Sequence, residues 1–161
     1  MIMPVLEHIY LGVKLVFSKL RILSVALTLA FSSTAFADLA IIGHPDSEVG
    51  KLDSKKVKNL FLGERKSFPN GLHATPINHV KGSPDRKEFF ASVLNMPESR
   101  HSRHWKRKVS TGAGSSPEEL SSYSDVLESV SSTPGSISYI DASQVDDSVK
   151  VLFTISDIEV I

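Results

Sequence analysis

The stretch Ala74–Phe90, which reads ATPINHVKGSPDRKEFF, predicts a strand, a tight turn and a helix in succession. Ala74–Val80 has the composition of a short extended segment. Gly82–Pro84 is a strong helix start, because serine is a favoured N-cap residue and proline fits the first helical position. Phe89 and Phe90 begin the apolar stripe of that helix. The stretch therefore predicts one strand-to-helix unit of an α/β domain.

Outward from this unit, strand and helix patterns alternate along the chain. Further extended segments are expected over 38–44, 65–68, 136–140 and 149–155. Helices are expected to begin at Asp53-Ser54, at Pro97-Glu98 and at Pro117-Glu118-Glu119, and a helical pattern covers Tyr123–Val130. His101, Trp105 and Val109 are four residues apart, which predicts that they share one helix face. No internal repeat interrupts the pattern. The alternation predicts a single domain with a mixed sheet flanked by helices.

Residues 1–37 have the organisation of a cleavable signal peptide. Lys14, Lys19 and Arg21 precede the uncharged stretch 22–31, and Ala35-Phe36-Ala37 resembles a signal peptidase site. A membrane-spanning helix needs about 20 apolar residues, and this stretch has half that number. We therefore expect export to the periplasm, cleavage before Asp38 and a mature domain over 38–161.

The charge balance of the mature chain argues against a nucleic-acid partner. The whole chain has 18 basic and 18 acidic residues, and removing residues 1–37 leaves 15 basic against 17 acidic. A nearly neutral protein generates no long-range attraction for a polyanion. The basic segment 100–108 (RHSRHWKRK) is therefore interpreted as a solvated helix face with Trp105 turned inward. The absence of cysteine excludes disulfides, thiol nucleophiles and thiolate metal sites.

Several motifs, taken in order, resemble the substrate-binding proteins of phosphate ABC transporters, which have the type II periplasmic binding protein fold. These motifs are Leu60-Phe61-Leu62-Gly63, Phe68 with Asn70-Gly71, Gly82-Ser83 before Phe89, and Pro134-Gly135-Ser136-Ile137-Ser138-Tyr139. The resemblance spans about residues 39–153. It implies a lobe of that fold, phosphate or a similar oxyanion as ligand, and an ABC permease or another envelope protein as partner.

The resemblance places the ligand at the start of the helix that follows Gly82. A glycine and a serine before a helix expose backbone N–H groups at the positive end of the helix dipole, where anions bind. The expected anion-binding residues are His79, Lys81, Gly82, Ser83, Arg86, Thr111 and Gly112. Arg86 is the expected counter-charge, and Thr111-Gly112 belongs to a loop that could line the pocket.

The chain departs from the pattern of that family at three positions. Pro84 replaces a glycine and has no N–H, and Asp85 replaces a threonine and would repel a phosphate. His79 replaces an arginine, and histidine is mostly neutral at pH 7. The mature chain is also the size of one lobe, so its site is expected to be open to water and of modest affinity.

No catalytic or metal-binding pattern accompanies these motifs. The sequence has no Gly-x-Ser-x-Gly and no His-Glu-x-x-His. His101 and His104 are three residues apart, but no third ligand lies nearby in sequence. We therefore expect a binding protein without metal, cofactor or enzymatic activity. The alternative is an envelope interaction module that kept the fold, lost the ligand and uses helix 98–108 as its contact surface.

Overall fold

The strand and helix expected on either side of Gly82-Ser83 are present in the computed structural model, which describes residues 38–157. The expected signal peptide, residues 1–37, lies outside the described residues. The strands are β1 (Leu39–Gly43), β2 (Thr75–His79), β3 (Glu118–Leu120), β4 (Ser136–Asp141) and β5 (Lys150–Thr154). The helices are α1 (Ser54–Phe61), α2 (Pro84–Phe89), α3 (Glu98–Ser110) and α4 (Tyr123–Ser132), with 3₁₀ turns at Ala142–Gln144 and Ile155–Asp157.

Local capping explains where three of the helices begin. The side chains of Asp53, Ser83 and Ser122 accept hydrogen bonds from the backbone N–H groups three residues ahead, at the starts of α1, α2 and α4. Helix α2 continues as a π-helical segment, Phe90–Leu94. That segment ends at Asn95, whose φ of 49° reverses the chain before α3 begins.

The five strands form one mixed sheet in the order β3-β2-β4-β1-β5. Strands β2, β3 and β4 are mutually parallel, whereas β1 pairs antiparallel with both β4 and β5. The expected mixed α/β architecture is confirmed. Because β2, β3 and β4 run in the same direction, their carboxyl ends lie at one edge of the sheet, where α2 and α4 begin.

Each face of the sheet has its own apolar core. One core packs Phe61, Phe89 and the π-helical segment against alternate residues of β1 and β4. The other packs Val126 and Val130 of α4 against the remaining alternate residues. The alternation of side chains along a strand explains why β1 and β4 are buried on both sides. Helix α4 therefore lies on the opposite face of the sheet from α1 and α2.

Three details differ from the sequence-based expectations. Glu118-Glu119 begins strand β3, paired with β2, and the prediction of a helix start there was wrong. Residues 65–68 contribute only an isolated bridge between Ser67 and His73. Val109 is 53% exposed, although His101 and Trp105 on the same helix are buried as expected.

Within the described residues, no helix combines the length and apolarity needed to cross a bilayer.

Candidate functional site

The beginning of α2 uses most of its own hydrogen-bonding groups. The Ser83 hydroxyl accepts a hydrogen bond from the backbone N–H of Arg86 at 3.3 Å. Pro84 has no N–H, and the N–H of Lys87 donates to the Ser83 carbonyl oxygen at 3.2 Å. Gly82 has a φ of +88°, which shapes the turn between β2 and the helix. Of the first three helical residues, only Asp85 keeps an N–H that these bonds do not occupy.

Arg86 is buried and paired with the protein's own carboxylates. Its side chain is 1% exposed, and its Nη1 lies 2.9 Å from Oε1 of Glu119. Its Nε lies in close ionic contact with Glu98, although the angles of that contact are not those of a hydrogen bond. Nη1 also donates to the backbone oxygen of His79. The residue that the sequence offered as a free counter-charge is thus committed to two acidic side chains.

Asp85 is buried beside the carboxyl end of β4. Its Oδ2 accepts a hydrogen bond from the backbone N–H of Asp141 at 3.1 Å. Burial, together with the hydrogen bond and the negative charge of Asp85, raises the pKa of Tyr123 to about 12. Asp85 therefore links the start of α2 to β4 and to the start of α4, and it brings negative charge to this edge of the sheet.

His79 and the loop after α3 have structural partners. The Nε2 atom of His79 lies 2.7 Å from the carbonyl oxygen of Tyr139, and the His79 ring is close to those of both Tyr123 and Tyr139. The Thr111 hydroxyl donates to carbonyl oxygens within α3, at Arg107 and Lys108. Thr111 and the following Gly112 are exposed, and neither lines the cleft described next.

A cleft of about 390 Å³ lies between α3 and the β2–β3 edge of the sheet, and we call it the α3 cleft. Its lining residues are Asn78, Lys81, Arg86, His101, Ser102, Trp105, Lys106, Val109, Ser110, Ser116, Pro117 and Glu119. Among these, Lys81, Arg86 and Lys106 are cationic, and Glu119 is the single carboxylate. The structure thus brings two of the seven expected residues, Lys81 and Arg86, into one cleft and leaves the other five outside its lining.

Asn78 lines the α3 cleft and carries an unpaired hydrogen-bond donor. The residue is 1% exposed, and its Oδ1 accepts a hydrogen bond from the Tyr139 hydroxyl at 3.2 Å. Its Nδ2 is buried without a hydrogen-bond partner. A buried donor without an acceptor costs about 1–3 kcal/mol, so such a group calls for an explanation. Sequence reasoning missed this residue, whose only signal was an amide between Ile77 and His79 in a short extended segment.

His101 and His104 point to different partners. The Trp105 Nε1–H donates to Nε2 of His101 at 3.0 Å, and Nε2 of His104 lies 2.8 Å from the carbonyl oxygen of Leu62. Burial, assisted by the nearby positive charge of Arg86, lowers the pKa of His101 to about 4. His101 is therefore neutral at pH 7. Within residues 38–157, no three metal-ligating side chains come together.

No family model matches the sequence, but solved structures share its fold. A phosphate-bound structure from Clostridium perfringens, described as a phosphate ABC transporter substrate-binding protein, superposes with a TM-score of 0.59 at 18% identity, over 72% of this chain and 45% of the other. An ABC-type phosphate transport receptor from Vibrio cholerae gives 0.57 at 16% identity, over 72% and 46%. PstS from Borrelia burgdorferi gives 0.57 at 18% identity, over 74% and 48%.

These similarities confirm the fold expected from the sequence motifs. At such identities they establish architecture, because unrelated functions recur on one fold. The chain spans about half the length of the proteins it matches.

Proposed function

We propose that residues 38–161 form a periplasmic solute-binding domain that takes a small oxyanion, such as phosphate, in the α3 cleft. The fold shared with three phosphate-transport proteins supports this class of function. The signal-peptide pattern of residues 1–37 supports export. On this proposal the domain delivers its ligand to a membrane partner, of which an ABC permease is the natural candidate.

The unpaired Nδ2 of Asn78 is the observation that carries the proposal. Since its own Oδ1 is held by Tyr139, the amide presents only its donor side to an occupant. An occupant that accepts a hydrogen bond there would remove the cost of leaving the donor unpaired. Lys81 and Lys106, both exposed at the rim, favour an occupant with negative charge.

This placement moves the ligand away from the first amides of α2. Ser83 caps Arg86, and Pro84 has no N–H, so those amides offer little to an anion. Lys81 lies in the turn between β2 and α2, so it can contact an anion either in the α3 cleft or at the start of α2. The Ser83 hydroxyl is reserved for the cap and is not expected to contact the ligand.

We expect modest affinity for phosphate. The cleft is open to solvent, and hydrogen bonds to a hydrated anion are weak at high dielectric constant. A dissociation constant on the order of 0.1–1 mM corresponds to about 4–5.5 kcal/mol, which a few exposed charge contacts can supply.

Calorimetric titration of the mature protein with phosphate, and separately with sulfate, tests the proposal. Lys81→Gln and Lys106→Gln should each weaken binding several-fold, whereas Lys87→Gln, an exposed lysine outside the cleft, should leave it unchanged. Asn78→Asp replaces the donor with a carboxylate of the same shape and should abolish binding. Thermal melts of each variant separate loss of the site from loss of the fold.

One observation favours a second candidate, an envelope interaction module without a ligand. Arg86 is already neutralised by Glu98 and Glu119, as expected for a lobe whose anion site has been replaced by internal ion pairs. For such a module, millimolar phosphate produces neither heat nor chemical-shift changes at Lys81 and Asn78. Such a result would reject the oxyanion proposal.

Export can be tested separately from binding. Mass spectrometry of the mature protein from the periplasmic fraction should give an N-terminus at Asp38. An unprocessed N-terminus in cells would contradict cleavage, whatever the outcome of the titration.

A further inference from the structure

Helix α3 exposes a dense strip of positive charge. Arg100, Arg103, Lys106 and Arg107 are all exposed, and we call them the basic face. At 100° per residue they fall within an arc of about 120°, along about 10 Å of helix. Among the described residues, no carboxylate forms an ion pair with any of them.

A separate segment of the chain carries an excess of negative charge. Residues 111–149 contain seven carboxylates and no lysine or arginine. Six of the seven are exposed, and we call four of these, Asp125, Glu128, Asp146 and Asp147, the acidic face. None of the four forms an ion pair with another described residue.

The two halves of the acidic face both adjoin the second apolar core. Asp125 and Glu128 are one helical turn apart on α4, whose Val126 belongs to the second apolar core. Val145, which directly precedes Asp146, packs against the same core. The carboxylates of the helix and of the turn therefore share one side of the domain.

The basic and acidic faces lie on opposite sides of the sheet. His101 of α3 packs edge-on against the ring of Phe90, whose cluster covers the first face of the sheet. Helix α4 covers the second face. The two sets of charges therefore cannot neutralise each other within one molecule.

We propose that the basic face of one copy of this chain binds the acidic face of a second copy. The pair then keeps an unused acidic face on one copy and an unused basic face on the other, so the contact is heterologous and can repeat. Opposite charges across such a contact steer association and set its register. Lys106 belongs both to the basic face and to the rim of the α3 cleft. The association variants below leave Lys106, Asn78 and Lys81 unchanged, so the two proposals can fail separately.

The same charge distribution disfavours an anionic membrane as the occupant. A bilayer surface would attract the basic face but repel the carboxylates of the rest of the chain, where acidic residues predominate. Further copies of this chain offer a complementary surface to each of the two faces.

Sedimentation velocity of the mature protein over a range of concentrations tests the proposal. At low ionic strength, association should increase with protein concentration, and high salt should abolish it because exposed charges are screened. The double variant Arg103→Gln, Arg107→Gln should weaken association about tenfold, the equivalent of losing two exposed ion pairs. Asp125→Asn with Glu128→Gln should do the same.

A mixing experiment makes the test specific. Each double variant keeps one intact face, so an equimolar mixture should recover association as dimers containing one copy of each variant. Lys55→Gln with Lys87→Gln removes the same charge elsewhere on the surface and should leave association unchanged. A wild-type protein that stays monomeric at low salt would overturn the proposal. So would binding to anionic phospholipid vesicles without self-association, or a mixture that fails to associate.

Discussion

The guanidinium of Arg86 and the carboxylate of Glu119 lie 2.9 Å apart, joining α2 to β3. Glu98, at the start of α3, contacts the same guanidinium. A single buried arginine thus connects three elements that are distant in sequence. It also forms one wall of the α3 cleft.

Replacing Arg86 with methionine should destabilise the domain by about 2–3 kcal/mol. Breaking a buried ion pair typically costs about 3–5 kcal/mol, and the cost is lower here because both carboxylates keep partial access to water. Urea denaturation measures the change, with Lys87→Met, an exposed neighbour on the same helix, as the control. Equal midpoints for the two variants would show that the buried ion pairs contribute nothing to stability.

Acid should destabilise the protein through His101. In the unfolded chain its pKa is near 6.5, whereas burial lowers it to about 4 in the folded state. The unfolded state therefore binds the proton first, and stability that is complete above about pH 6.5 is lost as the pH falls toward 4. The contribution is about 3 kcal/mol, since a tenfold difference in proton affinity between the two states is equivalent to about 1.4 kcal/mol.

Urea midpoints measured from neutral pH down to about pH 4 check that stability falls with pH in this direction. The His101→Gln variant has no group that titrates at this position, so its urea midpoint should change less with pH over this range than that of the wild type. Fluorescence of Trp105, the single tryptophan and a hydrogen-bond partner of His101, gives a local signal. Identical slopes for the two proteins would assign the acid sensitivity to other groups.

Gly135→Ala should prevent stable folding. A Cβ at this position would lie 2.2 Å from the backbone oxygen of His73, and the φ of +87° is already unfavourable for an L-residue. Because the clash is with backbone, no side chain can move to relieve it. We expect a loss of more than about 3 kcal/mol, measured by thermal denaturation.

Gly71→Ala is the matched control. Its φ of +89° is similar, but nothing lies within 4 Å of the added Cβ. Its cost should be limited to backbone strain, about 1–2 kcal/mol. If both variants lost the same stability, the close approach of His73 would not be the cause.

Tyr139→Phe should lower the stability of the domain and also weaken phosphate binding in the α3 cleft. The Tyr139 hydroxyl accepts from the His79 N–H at 3.3 Å and donates to Asn78 Oδ1 at 3.2 Å. Removing it leaves two buried groups unsatisfied, at a cost of about 1–3 kcal/mol. It also frees the Asn78 amide to rotate, so phosphate affinity should fall if the amide contacts the ligand. Unchanged phosphate affinity would show that the Asn78 amide does not take part in binding.

Local signals allowed much of the architecture to be predicted. Asp53 and Ser83 are N-caps in the sequence pattern and in the structure, because a cap depends on a few neighbouring residues. Strand β3 was missed because Glu118-Glu119 has no apolar pattern and is held by pairing with β2. Val109 is exposed because residues four apart rotate by about 40° on a helix, so it lies about 80° from His101.

The site was harder to predict than the fold, for a physical reason. The partners of Arg86 at positions 98 and 119 belong to separate elements, and no local rule indicates that they converge on one guanidinium. The unpaired amide of Asn78 likewise depends on which groups surround it after folding. Residue types therefore suggested the chemistry of the region, while tertiary packing decided which groups remain free.

The antiparallel pairing of β1 with β5 brings the first and last described strands together. Ala40 is the partner of Thr154, so the start of one strand lies beside the end of the other. A short linker could join these ends, and the chain could be opened within the exposed stretch 112–116. Such a circular permutant should keep the strand order, which would make the domain a practical scaffold for inserting reporters.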